Sequence, residues 1–320
     1  MNEPFSLSKY KINAVTLYPE LIFASKSRIM TKQGFSERMY LQFLRTKFKT
    51  LGMLSPSVAA KFAFDLFSTP YPKFKKRKAP AIFNQAKNLT VAVADGIRIN
   101  GFEWNANKPN GKTILIAHGY ASYIYKFEQY IQPLLKEGFR VLGFDAPAHG
   151  LSEGKQINAL IYKDAIEHII KVCGPIDHFI GHSLGGLTMS LIAEHIENPT
   201  KHKFVLIAPA TKTTTTLNGF FKMMHLSSEI KAAFMEELKK RTEFPVTYFE
   251  ADRAIEKFAG RLLWVHDEGD RVCPYKDLVN FKNNAPNNIQ FLITNGLGHN
   301  KVYKTQEVID KIVSFLASPL

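Results

Sequence analysis

The fold is decided by the segment Ile180-Gly181-His182-Ser183-Leu184-Gly185-Gly186. A short apolar run ends at Ile180 and is typical of a buried strand, whereas residues 187–195 carry the periodicity of a helix. Between them, glycines at 181 and 185 leave room for a sharp turn that exposes the Ser183 hydroxyl. The helix directs its free N–H groups and the positive end of its dipole towards any oxyanion formed there. The segment therefore predicts a strand, a strained turn carrying Ser183, and a helix.

Apolar segments on both sides of this turn alternate with helical patterns. Thr113–Ala117 is a near-continuous apolar strand of the kind that parallel sheets bury on both faces. Alternating residues around Asp95-Gly96 predict a hairpin over 89–99. Further strands are predicted at 140–144, 177–181, 203–207, 262–265 and 289–293, and helices at 125–137, 158–172, 276–283 and 302–317. The alternation predicts right-handed βαβ units around a mostly parallel central sheet flanked by helices.

The alternation lapses between about residues 209 and 258. An insertion late in a parallel sheet is typical of a helical lid over the C-terminal ends of the strands, where such sheets bind ligands. Three of its apolar side chains are candidates for an acyl pocket, Phe220, Phe221 and Met224. They are equally well explained as the packing face of the insertion itself.

A serine hydroxyl needs a positioned base, which is itself oriented by a carboxylate. His299 follows the last predicted strand in a glycine-rich loop, and Asp270 follows the preceding strand, so both are expected at the same sheet edge as Ser183. Asp267 competes with Asp270 for the acid role. An oxyanion needs two donors, and the backbone N–H groups of Tyr120 and Leu184 are the candidates.

The sequence resembles the α/β-hydrolase superfamily over about residues 88–318. The motifs that carry the resemblance are His118-Gly119, Asp145-Ala-Pro-Ala-His149-Gly150-Leu-Ser152, Gly181-His-Ser183-Leu-Gly185-Gly186, His266-Asp-Glu-Gly-Asp270-Arg-Val-Cys-Pro274 and Gly298-His299. The resemblance implies the α/β-hydrolase fold, with Ser183 as nucleophile, Asp270 as acid and His299 as base. Asp267 stands where a glycine often follows the strand-end histidine of the family.

The basic charge of the chain is concentrated at its N-terminal end. Residues 1–90 contain 16 Lys or Arg and 4 Asp or Glu, and the whole chain has a net charge of +14. We therefore divide it into a basic, largely helical extension over 1–87 and a hydrolase domain over 88–320. An amphipathic helix is predicted at 36–53, with an apolar face of Tyr40, Phe43, Leu44, Phe48 and Leu51. A second helix begins at Ser55-Pro56 and ends near Phe67.

The basic run Lys73-Phe74-Lys75-Lys76-Arg77-Lys78 has two interpretations. It is either a contact with an anionic surface such as lipid headgroups or a solvated linker, and the linker is favoured. Nucleic acid is not an expected partner, since no binding motif accompanies the charge. The amphipathic helices, in the same way, are expected to pack on the hydrolase domain rather than to insert into a membrane.

Composition places the chain in the reducing cytoplasm. Its two cysteines, Cys173 and Cys273, form no disulfide framework, and neither a signal pattern nor an apolar run of about 20 residues occurs. We expect no metal or organic cofactor, because no Cys-x-x-Cys occurs and no Gly-x-Gly-x-x-Gly follows a strand. The sequence leaves the oligomeric state open.

The predicted function is hydrolysis of a small-molecule carboxylic ester through an acyl-enzyme on Ser183, as in carboxylesterases and lipases. The same triad would also serve a thioesterase or an acyltransferase, and the fold supports other chemistry such as C–C bond cleavage or perhydrolysis. A non-catalytic protein that binds a membrane or a partner is the alternative of another class. The presence of all three triad residues argues against it, because a scaffold without activity has no need of them.

Overall fold

The computed structural model describes residues 35–70, 78–93, 96–105 and 107–320. Within these ranges eight strands form one sheet: β1 Lys87–Ala92, β2 Arg98–Trp104, β3 Thr113–Ala117, β4 Arg140–Phe144, β5 His178–His182, β6 Lys203–Ile207, β7 Arg261–Asp267 and β8 Ile289–Thr294. Their order across the sheet is β1-β2-β4-β3-β5-β6-β7-β8. Strand β2 pairs antiparallel with β1 and β4, and all other pairs are parallel. The sheet is thus the mostly parallel one that the alternation predicted.

Eleven α-helices lie in the same described ranges: α1 Phe35–Leu54, α2 Pro56–Ser68, α3 Glu128–Lys136, α4 Ala159–Cys173, α5 Leu184–Ala193, α6 Thr213–Met224, α7 Ser228–Thr242, α8 Ala251–Ile255, α9 Lys276–Asn284, α10 Gly298–Lys301 and α11 Gln306–Ala317. None of these described helices is both long and apolar enough to span a bilayer. Two features predicted from the sequence, Asp95 of the hairpin turn and residues 73–77 of the basic run, lie outside the described residues.

The sheet separates two hydrophobic cores, and strand β3 shows how the sequence fills both. All five of its side chains are buried. Leu115 and Ala117 belong to the core that contains residues of α4 and α5, whereas Ile114 and Ile116 belong to the core beneath α3 and α11. Since successive side chains of a strand point to opposite faces, an uninterrupted apolar run suits a sheet covered on both sides.

Helices α6, α7 and α8 connect β6 to β7, where the sequence predicted an insertion over 209–258. The ends of this insertion are joined where Lys212 forms ion pairs with Glu250 (2.8 Å) and Asp252 (2.6 Å). The structure thus places helices at the predicted position. Their movement as a lid stays a prediction.

The N-terminal helices α1 and α2 pack against the insertion. Ser55 caps α2 by accepting a hydrogen bond from the Val58 N–H, as the Ser-Pro pair predicted. Arg45 of α1 donates to the Met223 carbonyl of α6 (3.0 Å), and Arg241 of α7 pairs with Asp65 of α2 (2.9 Å). The two N-terminal helices and the insertion therefore form one helical layer.

The predicted apolar face of α1 is wrong at one residue. Leu44 and Phe48 are buried, together with Leu41, but the side chain of Phe43 is 60% exposed. Neighbouring helical residues point about 100° apart, so Phe43 cannot share the buried direction of Leu44. The buried stripe is narrower than the sequence suggested, and Phe43 lies outside it.

Candidate active site

Ser183 occupies a strained backbone turn between β5 and α5. Its dihedral angles are φ 56° and ψ −118°, a conformation that costs free energy for any residue with a side chain. The turn is held in place because the Ser183 N–H donates to the Ile207 carbonyl (3.0 Å). The Ser183 carbonyl accepts from the N–H groups of Leu187 (3.0 Å) and Ala210 (3.2 Å). A serine fixed in this way is presented at the C-terminal edge of the sheet, as predicted.

The glycines on either side of Ser183 are required by close backbone packing. A Cβ atom on Gly181 would lie 2.5 Å from the Gly185 carbonyl oxygen. A Cβ atom on Gly185 would lie 2.4 Å from the carbonyl oxygen of Ala117, at the end of β3. Both distances are shorter than van der Waals contact with backbone that cannot move aside, so larger residues would displace the turn from the sheet.

The loop after β3 lies directly beside Ser183. A Cβ atom on Gly119 would lie 2.8 Å from Ser183 Cβ. The His118 ring fixes this loop, because its Nε2 accepts from the Ala146 N–H (2.9 Å) and its Nδ1 therefore carries the proton that bonds the Gly119 carbonyl (2.8 Å). The Gly119 carbonyl and the Tyr120 N–H belong to one planar trans peptide, so the bond from His118 also sets the direction of that N–H.

The far side of the same loop is held by the motif around Asp145 and His149. The His149 Nε2 accepts from the Ala121 N–H (2.9 Å), and its Nδ1 bonds the Pro147 carbonyl (2.9 Å). Burial lowers the pKa of His149 to about 4, and that of His118 well below its ordinary value, so both rings are neutral. Asp145 accepts backbone N–H groups through both carboxylate oxygens. These contacts show that Asp145 and His149 stabilise their loop.

Asp270 and His299 are in direct contact. The Asp270 Oδ2 lies 2.8 Å from the His299 Nδ1. The other carboxylate oxygen, Oδ1, accepts from the N–H groups of Val272 (2.8 Å) and Cys273 (2.9 Å), which fixes the carboxylate orientation. A carboxylate at Nδ1 leaves the Nε2 atom of the ring as the proton acceptor.

Asp267 is buried but bonds to different groups. Its oxygens accept from the Thr294 hydroxyl (2.7 Å) and from the N–H groups of Gly269, Leu297 and Gly298 (2.9 Å each). Burial raises the pKa of Asp267, but these hydrogen bonds outweigh burial and leave the pKa lowered. Asp267 thus holds the segment that carries His299. The sequence predicts a loop here, but the segment also includes the helical turn α10. Asp267 accepts the N–H groups of Gly298, the first residue of α10, and of Leu297 directly before it.

His182 joins His299 to the turn that carries Ser183. Its ring centroid lies 4.7 Å from that of His299 and 4.2 Å from that of Tyr303. Its Nε2 lies 3.2 Å from the His299 carbonyl oxygen. Because His182 directly precedes Ser183, these contacts bring the three predicted residues Ser183, Asp270 and His299 to one place.

Comparisons with known proteins agree with this architecture. Residues 108–253 match the family model described as serine aminopeptidase, S33. A solved esterase from Pyrococcus furiosus is 20% identical and covers 78% of this chain and 95% of its own, with a TM-score of 0.56. The chain has the fold of the α/β-hydrolase superfamily.

Two further relatives show the range of this superfamily near the chain. A Mycoplasma genitalium protein named "Putative esterase/lipase 2" is 26% identical over 231 residues, which are 60% of this α/β-hydrolase and 84% of the relative. A bromoperoxidase from Bacillus anthracis is 13% identical and covers 72% of this chain and all of its own, with a TM-score of 0.53. The chain is thus similar to hydrolases of the esterase and lipase kind.

The sequence missed a chain of contacts behind the acid of this α/β-hydrolase. The Trp264 indole donates to His266 Nδ1 (3.3 Å), so His266 carries its proton on Nε2 and donates it to the Cys273 carbonyl (2.8 Å). The N–H of the same Cys273 is a donor to Asp270. The signal in the sequence is His266, the next-to-last residue of β7, although its motif alone assigns no role to this side chain.

Cys273 also lies near Ser183, which the sequence gave no means of predicting. Its buried thiol is close enough for the Ser183 side chain to affect the pKa of the thiol. Burial raises the pKa of Cys273 well above its ordinary value, although the Ser183 side chain lowers it in part. The thiol is therefore neutral and is not a competing nucleophile in this α/β-hydrolase.

The pocket candidates of α6 lie inside the helical layer. Phe220, Phe221 and Met224 are all buried. Phe220 packs on Phe67 of α2 (ring centroids 5.3 Å apart), and Phe221 packs edge-on against Phe234 of α7 (5.1 Å). These contacts are those expected of a packing face. A second role for the three side chains as an acyl pocket wall stays a prediction.

Proposed function

We propose that this α/β-hydrolase is a serine hydrolase that cleaves carboxylic esters through an acyl-enzyme on Ser183. The observation that carries the proposal is the 2.8 Å contact between Asp270 Oδ2 and His299 Nδ1, beside a serine on a strained turn. A nucleophile, a base and a carboxylate that orients the base are the three parts that acyl transfer by a serine requires.

In the first half of the reaction, His299 Nε2 accepts the proton of the Ser183 hydroxyl as Ser183 Oγ bonds to the ester carbonyl carbon. The resulting imidazolium is stabilised by the Asp270 carboxylate at Nδ1. His299 then protonates the departing alcohol oxygen as the ester C–O bond breaks. In the second half, His299 takes a proton from water, whose oxygen attacks the acyl carbon, and returns that proton to Ser183 as the acid leaves.

The oxyanion of each tetrahedral intermediate would be bound by two backbone N–H groups. Leu184 is the first residue of α5, so its N–H is one of those that lack an intrahelical acceptor. Tyr120 supplies the second, from the loop that approaches Ser183 at Gly119. The bond from His118 to the Gly119 carbonyl supports this role, since it fixes the Tyr120 N–H before substrate binds. Loss of one such donor costs about 10²–10³ in kcat in serine proteases.

The hydrogen bonds of the two acids favour Asp270 over Asp267 as the partner of the base. Asp267 accepts four hydrogen bonds, two of which come from the Leu297 and Gly298 N–H groups of the loop that carries His299. Asp270 keeps one carboxylate oxygen for the ring of His299 itself. We therefore assign Asp267 to positioning the loop and Asp270 to orienting the base.

The test is a substrate series assayed with a matched pair of histidine variants. The wild-type protein is given p-nitrophenyl esters of increasing acyl length and thioesters with the same acyl groups. His299→Ala should lower kcat on the preferred substrate by about four orders of magnitude or more. His168→Ala, which removes an exposed histidine that bonds only the Asp164 carbonyl one turn before it on α4, is the control and should retain activity.

A preference for thioesters would agree with the proposed triad mechanism but would change the proposed substrate class from esters to thioesters. Turnover of the preferred substrate by His299→Ala at the wild-type rate would contradict the proposed mechanism. The absence of turnover on every ester and thioester would favour the non-catalytic alternative.

A further inference from the structure

The helix α1 has two apolar faces, and only one of them is covered. Its buried face consists of Leu41, Leu44 and Phe48. At about 100° per residue, Met39, Phe43, Met53 and Leu54 fall within a sector on the opposite side, which the exposed Thr46 and Thr50 share. Their exposed fractions are 58%, 60%, 81% and 79%, respectively. An apolar stripe on the solvent side of a helix that is already packed on its other side needs a separate explanation.

Val58, near the start of the next helix α2, is likewise 51% exposed. We call the five residues Met39, Phe43, Met53, Leu54 and Val58 the N-terminal apolar patch. Among the described residues, they are five of the ten large apolar side chains that are exposed. Half of such side chains therefore belong to two consecutive helices, whereas single exposed apolar residues scattered over a surface would need no explanation.

The charges on the chain segment that carries the patch have one sign, although Glu229 of α7 lies beside Met53. Residues 38–61 contain five basic side chains and no acidic one. Arg38 and Lys49 are exposed and flank one side of the stripe, and Lys61 is exposed on α2. Lys47 flanks the other side, with its ammonium group over the Phe62 ring (3.8 Å). An apolar stripe bordered by basic residues is the pattern of a helix that lies in the interface of an anionic bilayer.

We propose that the N-terminal apolar patch docks this protein on the surface of an anionic lipid membrane. Helix α1 would lie parallel to the bilayer, with the patch in the acyl boundary and the basic side chains among the headgroups. The charge of residues 1–90, 16 basic against 4 acidic side chains, adds long-range attraction to the same surface. The proposal does not rest on the reaction proposed for Ser183.

The other possible occupants of the patch fit its charge less well. A second copy of the chain would bring an equally basic surface against this one. Residues 1–34 of the chain itself carry five basic and two acidic side chains, so they have the same sign as the patch border. Nucleic acid would be bound by the basic residues but would leave the apolar stripe in water. Anionic lipid is the one of these partners that matches both features.

The test is sedimentation of the full-length protein with vesicles of equimolar phosphatidylcholine and phosphatidylglycerol, or of phosphatidylcholine alone. We expect binding to the anionic vesicles at low salt, and weaker binding as salt is raised. A Phe43→Ser/Leu54→Ser double variant should lose at least about tenfold in the partition coefficient, because each large apolar side chain contributes about that factor when buried. Both side chains are exposed, so the fold should be unaffected.

The matched control is Val172→Ser, which replaces an exposed aliphatic side chain on α4 and should bind as the wild type does. Three outcomes would overturn the proposal. The first is the absence of wild-type binding to anionic vesicles at low salt. The second is equal binding by the wild type and the double variant. The third is a concentration-dependent dimer of the wild type that the double variant loses, since the patch would then be an interface between copies.

Discussion

The phenol of Tyr120 donates a hydrogen bond to the backbone carbonyl of Thr69 at 2.7 Å, and the Phe67 carbonyl lies 3.3 Å from the same oxygen. Tyr120 lies in the loop beside Ser183, and Thr69 directly follows helix α2. The N-terminal helices are therefore bonded to the loop that carries the proposed oxyanion donor. A further bond to the same end of α2 runs from the N–H of Ile157, which lies shortly before α4, to the Ser68 carbonyl (2.8 Å).

The first prediction tests this connection with Tyr120→Phe. The variant keeps the ring and the backbone N–H but removes the hydroxyl that bonds Thr69. We expect the free energy of unfolding to fall by about 1 kcal/mol, the usual contribution of one hydrogen bond. If the bond also positions the oxyanion loop, kcat for a short soluble ester falls several-fold while KM changes little.

The matched control is Tyr125→Phe, because Tyr125 follows the same loop but its ring packs on Phe83 at the edge of the sheet. Urea unfolding and steady-state kinetics measure both effects. An unchanged kcat in Tyr120→Phe would show that the bond is structural alone.

The second prediction separates the two buried acids. Asp270→Asn should lower kcat by about four orders of magnitude and leave stability nearly unchanged, by analogy with loss of the orienting carboxylate in serine proteases. Asp267→Asn should have the smaller effect on kcat. It should lower the free energy of unfolding by about 3 kcal/mol, because an amide NH₂ group would face N–H donors that now bond a carboxylate.

Kinetics and urea unfolding of the two variants check this ranking. The opposite ranking, with the larger loss of kcat in Asp267→Asn and the larger loss of stability in Asp270→Asn, would reverse the roles we assign.

The sequence predicted the elements whose signal is local. The predicted bounds of strand β3 match the observed ones, because a short apolar run bounded by polar residues is typical of a strand that is buried on both faces of a sheet. The spacing of the two glycines around Ser183 also predicts the turn. Gly181 is required by contact with Gly185, which is local, whereas Gly185 is required by the distant Ala117 carbonyl. Ser183, Asp270 and His299 each follow a predicted parallel strand, so the sequence also predicted that their three loops lie at one edge of the sheet.

Contacts between distant segments could not be predicted in this way. The bond between Tyr120 and Thr69 joins residues 51 positions apart, and no periodic pattern in the sequence indicates such a contact. Phe43 was assigned to the wrong face because the width of a buried stripe depends on which helices pack against it. The helical turn at His299 depends on Asp267, the last residue of β7, which is separated from His299 by α9 and β8. Such features depend on tertiary packing, which can override local preference.

The third prediction concerns the loss of folding stability at low pH. Burial lowers the pKa of His149 and of His178 to about 4, and it also lowers those of His118 and His182 well below their ordinary value. In the unfolded chain these rings titrate near their ordinary pKa of about 6.5 and bind protons that the folded protein excludes. Their contribution to stability is complete above pH 6.5 and is lost as the pH falls towards 4.

Asp145 acts in the opposite direction. Burial raises its pKa to about 6, so the folded protein binds this proton first, and stability rises as the pH falls from 6 towards the ordinary value. Burial also raises the pKa of the less buried Asp164 and Asp277, and it lowers the pKa of a fifth histidine, His266. The histidines outweigh the carboxyl groups, so we expect the net effect of acid to be destabilising. Since one unit of pKa shift corresponds to about 1.4 kcal/mol, His149 alone accounts for on the order of 3 kcal/mol.

Urea unfolding at neutral pH and at about pH 4.5 measures this difference. We expect the free energy of unfolding to be lower by at least about 3 kcal/mol in acid. A free energy that is constant or higher in acid would mean that the buried rings are charged in the folded protein.

The fourth prediction concerns Cys273, whose buried thiol lies near Ser183. Cys273→Ala keeps the backbone N–H that bonds Asp270 and removes only the side chain. Because burial keeps the thiol neutral, we expect kcat for a short ester to stay within about tenfold of the wild type. Cys173→Ala is the control at the other cysteine. Loss of all activity in Cys273→Ala alone would mean that the sulfur takes part in the reaction.

The central claim, that Ser183 is the nucleophile, is tested most directly by mapping the adduct of a fluorophosphonate probe by mass spectrometry. We expect the wild-type protein to carry one adduct on the peptide that contains Ser183. Ser183→Ala should remain folded by circular dichroism, carry no adduct and lose ester hydrolysis. An adduct on another residue, or undiminished turnover by a folded Ser183→Ala protein, would contradict the account.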